Sequence, residues 1–341
     1  MGARSVYAAA HVAAFTDGSI DWDSTLAFRE HLWAHGFGVA EAMDTAQRGL
    51  GLSFDQAGEL ISRSAARARQ LGTAIVSGAG TDQLPPGGHS LKTISAAYVE
   101  QLKFVQGTGS QAIVMASRAL AGSARSAQDY LDVYTEVIER AQEPVMLHWL
   151  GEAFDPGLRG YWGSEDFAAA ADTVLELIRR ADGKISGVKL SVLNADYEIS
   201  LRRRLPSGVR MYTGDDYHYA ELIKGDELGH SDALLGAFAA ITVPAAAALA
   251  ALDHGDLAGY DAAMNPTVPL SRLIFEPPTY DYKVGVAFLA WLNGLQPHFA
   301  MLGQLQERRS PAHLAKVHEL ARNAGALIDV ELASERWAAL R

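Results

Sequence analysis

The sequence contains no cysteine among its 341 residues. Without a thiol there is no disulfide scaffold, no thiolate metal site and no cysteine nucleophile. It also has no apolar run long and charge-free enough to cross a bilayer as a helix, so we expect neither a transporter nor a channel. These absences favour a globular protein of the cytoplasm.

Basic side chains are scarce as well. Lys and Arg number 29 against 40 Asp and Glu, which gives a formal net charge of -11. Such a chain repels the phosphate backbone of nucleic acids and the surface of anionic membranes. We therefore expect no nucleic-acid partner and no membrane partner.

Short β-like runs recur along the chain with helical patterns between them, the rhythm of βα units and a parallel sheet. No glycine-rich phosphate loop follows the first run, unlike in open dinucleotide-binding sheets. We therefore predict an α/β fold, a (β/α)8 TIM barrel over residues 1–244. The predicted strands are 7–14, 38–43, 74–80, 112–116, 145–150, 185–192, 209–213 and 233–235.

Helical spacing of apolar residues predicts the intervening helices, and Ser53 with Gln56 predicts a capping box at the start of the second. Their predicted ranges are 25–34, 54–71, 94–106, 128–142, 166–180 and 195–205. From residue 245 the β pattern disappears and helical patterns continue to the end. Residues 245–341 are therefore expected to form a C-terminal helical extension packed on the barrel.

One lysine lies within the strand-like run 185–192. Side chains alternate along a strand, so Lys189 and Ser191 face opposite to Val188 and Leu190. In a barrel, the polar face points inward near the carboxyl end of the strands, where active sites lie. A lysine there loses solvent, which lowers its pKa and frees its amine to attack a carbonyl group.

Other polar residues follow the predicted strands at the same end of the barrel. His148 is late in the fifth strand, about 4.8 Å from the sixth, so we predict it as a proton shuttle for a substrate held by Lys189. The predicted substrate-binding residues are Glu41, Asp44, Thr45, Ser117, Arg118, Ser191, Gly214, Asp215 and Asp216.

Two of these motifs stand out in order and spacing: Gly187-Val188-Lys189, and Thr213-Gly214-Asp215-Asp216 one strand later. With residues 17–21, and residues 274–277 leading to Lys283, they resemble the dihydrodipicolinate synthase/N-acetylneuraminate lyase superfamily. That resemblance implies a divergent class I aldolase on a (β/α)8 barrel, with Lys189 as the Schiff-base lysine. It further implies a small carbonyl substrate, no cofactor beyond the covalent lysine imine, and a homodimer or homotetramer.

The chain departs from the family where the family binds its keto-acid. The Gly-Thr-Thr-Gly-Glu segment aligns with residues 44–48, of which only Thr45 matches. The family's tyrosine pair falls on residues 116–118, and its catalytic tyrosine falls on His148. These departures argue against pyruvate and leave another oxo-acid or an oxidised sugar as the expected substrate.

Two other functions remain open. Glu41, His148 and Asp215, with His230 as a fourth ligand, could hold a divalent metal in a sugar isomerase or lyase. The missing tyrosines would also suit a barrel that binds a ligand without turnover. Structural roles are open too, since Lys189 could simply pair with Asp215 or Asp216, and Lys283 is a rival lysine with a packing role.

Overall fold

The computed structural model describes residue 2 and residues 4–340. Eight parallel strands pair in chain order and close into a barrel, with β8 beside β1. This confirms the predicted fold. The strands are β1 (Val6–Ala9), β2 (Gly38–Glu41), β3 (Ile75–Ala79), β4 (Gln111–Val114), β5 (Val145–Leu150), β6 (Ile185–Ser191), β7 (Arg210–Thr213) and β8 (Asp232–Leu235).

Helices follow the strands, and within the described residues no helix is both long and apolar enough to cross a membrane. In the barrel they are α1 (Trp22–Ala34), α2 (Phe54–Leu71), α3 (Leu91–Gly107), α4 (Arg118–Ser123), α5 (Ala127–Glu139), α6 (Phe167–Arg180), α7 (Ala195–Arg202) and α8 (Tyr219–Lys224). After β8 come α9 (Ala237–Ala240), α10 (Thr242–Asp253), α11 (Leu257–Met264), α12 (Val268–Ile274), α13 (Lys283–Leu292), α14 (Pro311–Asn323) and α15 (Val330–Leu340). The predicted capping box at Ser53 and Gln56 is confirmed.

Alternation along the strands separates the barrel interior from the helical layer. A small apolar cluster fills the interior, and it consists of Ala9, Ala40, Met43, Val76, Ile113, Met146, Tyr212 and Leu234. Val188 and Leu190 pack outward in the larger cluster beneath the helices. The polar face of β6 is therefore directed into the barrel.

The segment after β8 shares a hydrophobic core with the barrel. Ala8 and Leu235 on the outer face of the sheet belong to the same buried cluster as Phe288 in α13. Phe238 in α9 stacks on Phe37, with ring centroids 5.5 Å apart. The predicted division between residues 244 and 245 falls inside α10 and stays a prediction.

Candidate active site

Lys189 occupies the inward face of β6, two residues before its last residue. Its register partners are His148 on β5 and Tyr212 on β7, and its exposed fraction is 8%. It lies above the apolar cluster that fills the interior. Strand alternation therefore turns this amine inward, and its late position in β6 places it towards the carboxyl end of the barrel.

Two opposing effects act on Lys189. Burial lowers the pKa of its ammonium group, while the negative charges of Asp216 and Asp44 raise it. Burial likewise raises the pKa of Asp216, and the nearby Lys189 lowers it. Burial thus favours the neutral forms of both groups, and their mutual attraction favours the ion pair.

His148 is the nearest histidine to this lysine along the sheet. Its Nε2 lies 3.2 Å from Ser191 Oγ, and its Nδ1 has no hydrogen-bond partner among the described residues. Burial, followed by the charge of Lys189, keeps the pKa of His148 well below its usual value. The imidazole is therefore neutral near pH 7 and can accept a proton.

The turn after β7 fixes the two aspartates differently. Asp215 accepts hydrogen bonds from the backbone N–H groups of Tyr217 and His218, and its Oδ2 lies 2.9 Å from His218 Nδ1. Asp216 instead accepts from the backbone N–H of Ala237, at 3.0 Å. Asp215 thus shapes the turn, and Asp216 is the carboxylate whose charge reaches Lys189.

Gly214 lies directly against the lysine. A Cβ added at Gly214 would come within 2.9 Å of both Lys189 Cε and the Leu190 carbonyl oxygen. The Gly214 N–H donates to that same carbonyl, at 2.8 Å. Glycine is required here because β6 and the turn after β7 approach too closely for any side chain.

The loop after β2 meets the start of α13 at the carboxyl end of the barrel strands, called the barrel mouth below. Lys283 Nζ lies 2.9 Å from Asp44 Oδ2, and Thr45 Oγ1 lies 2.7 Å from the Tyr282 hydroxyl. Lys283 also donates to the Tyr280 carbonyl, at 2.8 Å. The sequence reasoning did not identify Tyr282, although it immediately precedes the lysine that was singled out.

Glu41 lies away from this group, contrary to the expectation that it binds substrate. Because Ala40 faces the interior, alternation turns Glu41 outward, where it forms a two-pronged ion pair with Arg29 at 2.8 and 2.9 Å. Both side chains have 0% exposure. Glu41 therefore ties α1 to β2.

Ser117 and Arg118 are at the predicted end of the barrel but interact with their own surroundings. Ser117 caps α4 by accepting from the Leu120 N–H, and its hydroxyl lies 2.6 Å from Thr81 Oγ1. Arg118 is 62% exposed and pairs with Asp155 at 2.5 Å. Ser117 is thus part of the loop framework, and Arg118 lies at the rim.

The four residues of the metal-dependent alternative are not brought together. Glu41 is paired outside the barrel, Asp215 is bound to His218, and His230 precedes β8 at the opposite end. Among the described residues, no three His, Cys, Asp or Glu side chains form a group that could hold a metal ion. The predicted ligand set is therefore corrected, since strand direction and existing partners separate its members.

The fold and this site define a (β/α)8 barrel with a buried lysine on its sixth strand and a neutral histidine on its fifth. The chain belongs to the family described as "Protein of unknown function (DUF993)", which matches residues 1–340. A comparison with curated proteins finds no match.

Solved structures of the dihydrodipicolinate synthase family share the fold, which confirms the predicted resemblance at that level. A prophage protein of that family from E. coli K12, solved with pyruvate, has TM-score 0.75 and 16% identity, covering 95% of this chain and 99% of its own. The Aquifex aeolicus synthase has TM-score 0.72 and 16% identity, covering 95% and 99%. The 4-hydroxy-tetrahydrodipicolinate synthase of Methylacidiphilum fumariolicum SolV has TM-score 0.69 and 18% identity, covering 97% and 99%.

Proposed function

We propose that the protein is an aldolase-type lyase that forms an imine between Lys189 and a small carbonyl compound. The observation that carries the proposal is the placement of Lys189, a buried amine with a lowered pKa beside a neutral imidazole. The fold shared with dihydrodipicolinate synthases supports it. No cofactor is needed, because the protonated imine itself withdraws electrons.

The reaction follows from the groups at the mouth. The neutral Lys189 amine adds to the carbonyl carbon, and the carbinolamine loses water to give a protonated imine. His148 takes the proton from the hydroxyl group on the β carbon, and the bond between the α and β carbons breaks. The electron pair of the broken bond forms an enamine. The enamine takes the proton back from His148 at its α carbon, and water then hydrolyses the resulting imine.

The substrate is proposed to be an oxo-acid other than pyruvate, or an oxidised sugar. Asp44, paired with Lys283, occupies the loop that should lie over the carbonyl compound. The carboxylate of Asp44 would accept a hydrogen bond from a substrate hydroxyl group and would repel a substrate carboxylate at the same place. Asp216 and Ser191 are the further polar groups proposed to contact it, and we propose a homodimer or homotetramer as the assembly.

Reductive trapping tests the imine. The protein is incubated with pyruvate, 2-oxobutanoate, a 2-keto-3-deoxy sugar acid or dihydroxyacetone plus cyanoborohydride, and adducts are located by intact mass and peptide mapping. We expect an adduct on Lys189 that is absent from Lys189→Ala. Lys184→Ala, an exposed lysine just before the same strand, is the matched control and should retain it. Failure across the panel, or an adduct that persists in Lys189→Ala, would overturn the proposal.

A further inference from the structure

The C-terminal extension places a tyrosine hydroxyl in the barrel mouth. Tyr282 OH and Thr45 Oγ1 lie 2.7 Å apart, and the two residues are 3% and 2% exposed. The Tyr282 ring stacks on Phe275, with centroids 4.3 Å apart, and meets the edge of Phe154 at 6.1 Å. These two aromatic contacts and the hydrogen bond to Thr45 fix the direction of the hydroxyl group.

A short path of contacts joins this hydroxyl pair to Lys189. A Cβ added at Gly236 would lie 3.1 Å from Tyr282 Cε2 and 3.2 Å from Thr45 Oγ1. The next residue, Ala237, donates its N–H to Asp216, whose charge acts on Lys189. Tyr282 is thus linked to Lys189 through residues 236–237 and Asp216, and the charges of Asp44 and Asp216 act on both groups.

The two carboxylates at the mouth act on both groups. Burial, together with the charges of Asp44 and Asp216, keeps the pKa of Tyr282 well above its usual value. The phenol therefore holds its proton in the resting site, and it gives that proton up only as the positive charge of the imine develops. His148 cannot fill that role in its resting form, because its lowered pKa leaves it neutral.

Imine formation needs such a donor. When the carbinolamine breaks down, the C–O bond cleaves with its electron pair on oxygen, and the nitrogen lone pair forms the C=N bond. The departing oxygen must take up a proton to leave as water.

We propose that Tyr282, hydrogen-bonded to Thr45, supplies this proton and so completes the site from the extension. This proposal rests on the proposed function. The phenolate is offset by the positive charge of the protonated imine and accepts a hydrogen bond from Thr45, and it regains its proton from the water molecule that later hydrolyses the imine, so the cycle is balanced. The mouth is then built from two distant parts of the chain.

The rate of reductive trapping separates this role from a structural one. With whichever compound of the trapping panel labels Lys189 in the wild type, and excess cyanoborohydride, we expect Tyr282→Phe to label Lys189 about 100-fold more slowly, within the range of general acid catalysis. The final labelled fraction should equal that of the wild type, because the change removes one hydroxyl group and leaves Lys189 in place. A purely structural tyrosine would instead lower the final fraction together with thermal stability.

Two further variants sharpen the experiment. Tyr219→Phe is the matched control, because it removes a similarly buried hydrogen bond outside the mouth, between the Tyr219 hydroxyl and Thr267 Oγ1 at 2.6 Å. Its trapping rate should not change. Thr45→Val removes the partner hydroxyl and should slow trapping about 10-fold, the effect of losing one hydrogen bond. It also decides the question if Tyr282→Phe does not fold.

The outcomes distinguish the two proposals. Absence of any wild-type adduct on Lys189 overturns the proposed function and this inference together. A wild-type adduct that Tyr282→Phe forms at the normal rate overturns only the role of Tyr282. Loss of rate and final extent together, with a lower melting temperature, also overturns that role.

Discussion

Lys189 shares the barrel mouth with a carboxylate that opposes its deprotonation. Burial lowers the pKa of the lysine, and Asp216 is the first of the charges that raise it. An amine must be neutral to attack a carbonyl, so Asp216 raises the pH at which the site becomes reactive. This balance leads to a prediction about pH.

Asp216→Asn should shift the pH profile of reductive trapping. A negative charge beside an ammonium group favours the protonated form, so its removal lowers the pKa of Lys189. In the wild type, the trapping rate should begin to rise at a pH below 10.5, the pKa of an ordinary lysine. In Asp216→Asn this rise should begin at a still lower pH. Asp172→Asn, at an exposed ion pair with Arg204, should leave the profile unchanged. A shift to higher pH in Asp216→Asn would contradict the assignment.

Gly214→Ala tests the close approach beside the lysine. The added methyl group collides first with Ser191 Oγ and also meets Lys189 Cε and the Leu190 carbonyl oxygen at 2.9 Å, so the serine, the lysine or the turn must move. Overpacking of this kind costs about 1–3 kcal/mol in the free energy of unfolding, and trapping should fall as well. Gly122→Ala in α4 has open space around it and should be neutral or slightly stabilising. Equal results for the two variants in chemical denaturation would refute the packing argument.

At the scale of elements, α1 is joined to β2 by a fully buried ion pair. Arg29 contacts both oxygens of Glu41, and it also donates to the Thr25 carbonyl at 3.0 Å. Removal of one partner would leave the other charge buried without compensation. Breaking this pair should therefore cost more free energy of unfolding than breaking an exposed pair.

Glu41→Gln should lower the free energy of unfolding by about 3–5 kcal/mol, the usual cost of breaking a buried pair. The same change at Glu59, which pairs with Arg63 at 45% exposure, should cost under about 1 kcal/mol. Urea denaturation of the two variants measures the difference. A loss of substrate affinity in Glu41→Gln without a loss of stability would instead restore Glu41 as a binding residue.

The eight strands and the longer helices of the barrel were predictable, and its two shortest helices were not. Strand β5 begins and ends where the sequence places it, and α2 matches its predicted range. The helices α4 and α8 have six residues each, too few for a helical period to emerge. The direction of Glu41 was available from alternation, had the small Ala40 been assigned to the interior.

The site was only partly predictable because its members are distant in sequence. Lys189 and His148 lie on neighbouring strands, so strand order alone places them together. The contact between Thr45 and Tyr282 spans 237 residues, and no periodicity links them. Only the packing of the extension on the barrel reveals that pair.

At the scale of the whole molecule, the barrel and the extension share one core. The largest buried cluster includes Ala8 and Val39 from the sheet as well as Phe288 and Leu314 from the extension. Apolar surface on either part is therefore covered by the other. Two parts that share a core are expected to lose it together.

Unfolding should follow a single transition that includes both parts. In a variant with Trp291→Phe and Trp337→Phe, the remaining tryptophans at 22, 33, 149 and 162 report only on the barrel. Their fluorescence should change at the same urea concentration as the far-ultraviolet circular dichroism of the whole chain. Two separated midpoints would show that the extension unfolds independently.

The contact between Tyr282–Lys283 and Asp44–Thr45 constrains how this protein can be redesigned. Each residue of one pair meets one residue of the other, through a hydroxyl pair and an ion pair. A library that varies the β2 loop alone would mostly sample sequences whose partners in the extension no longer match. Directed evolution of substrate choice should therefore randomise all four positions in one library.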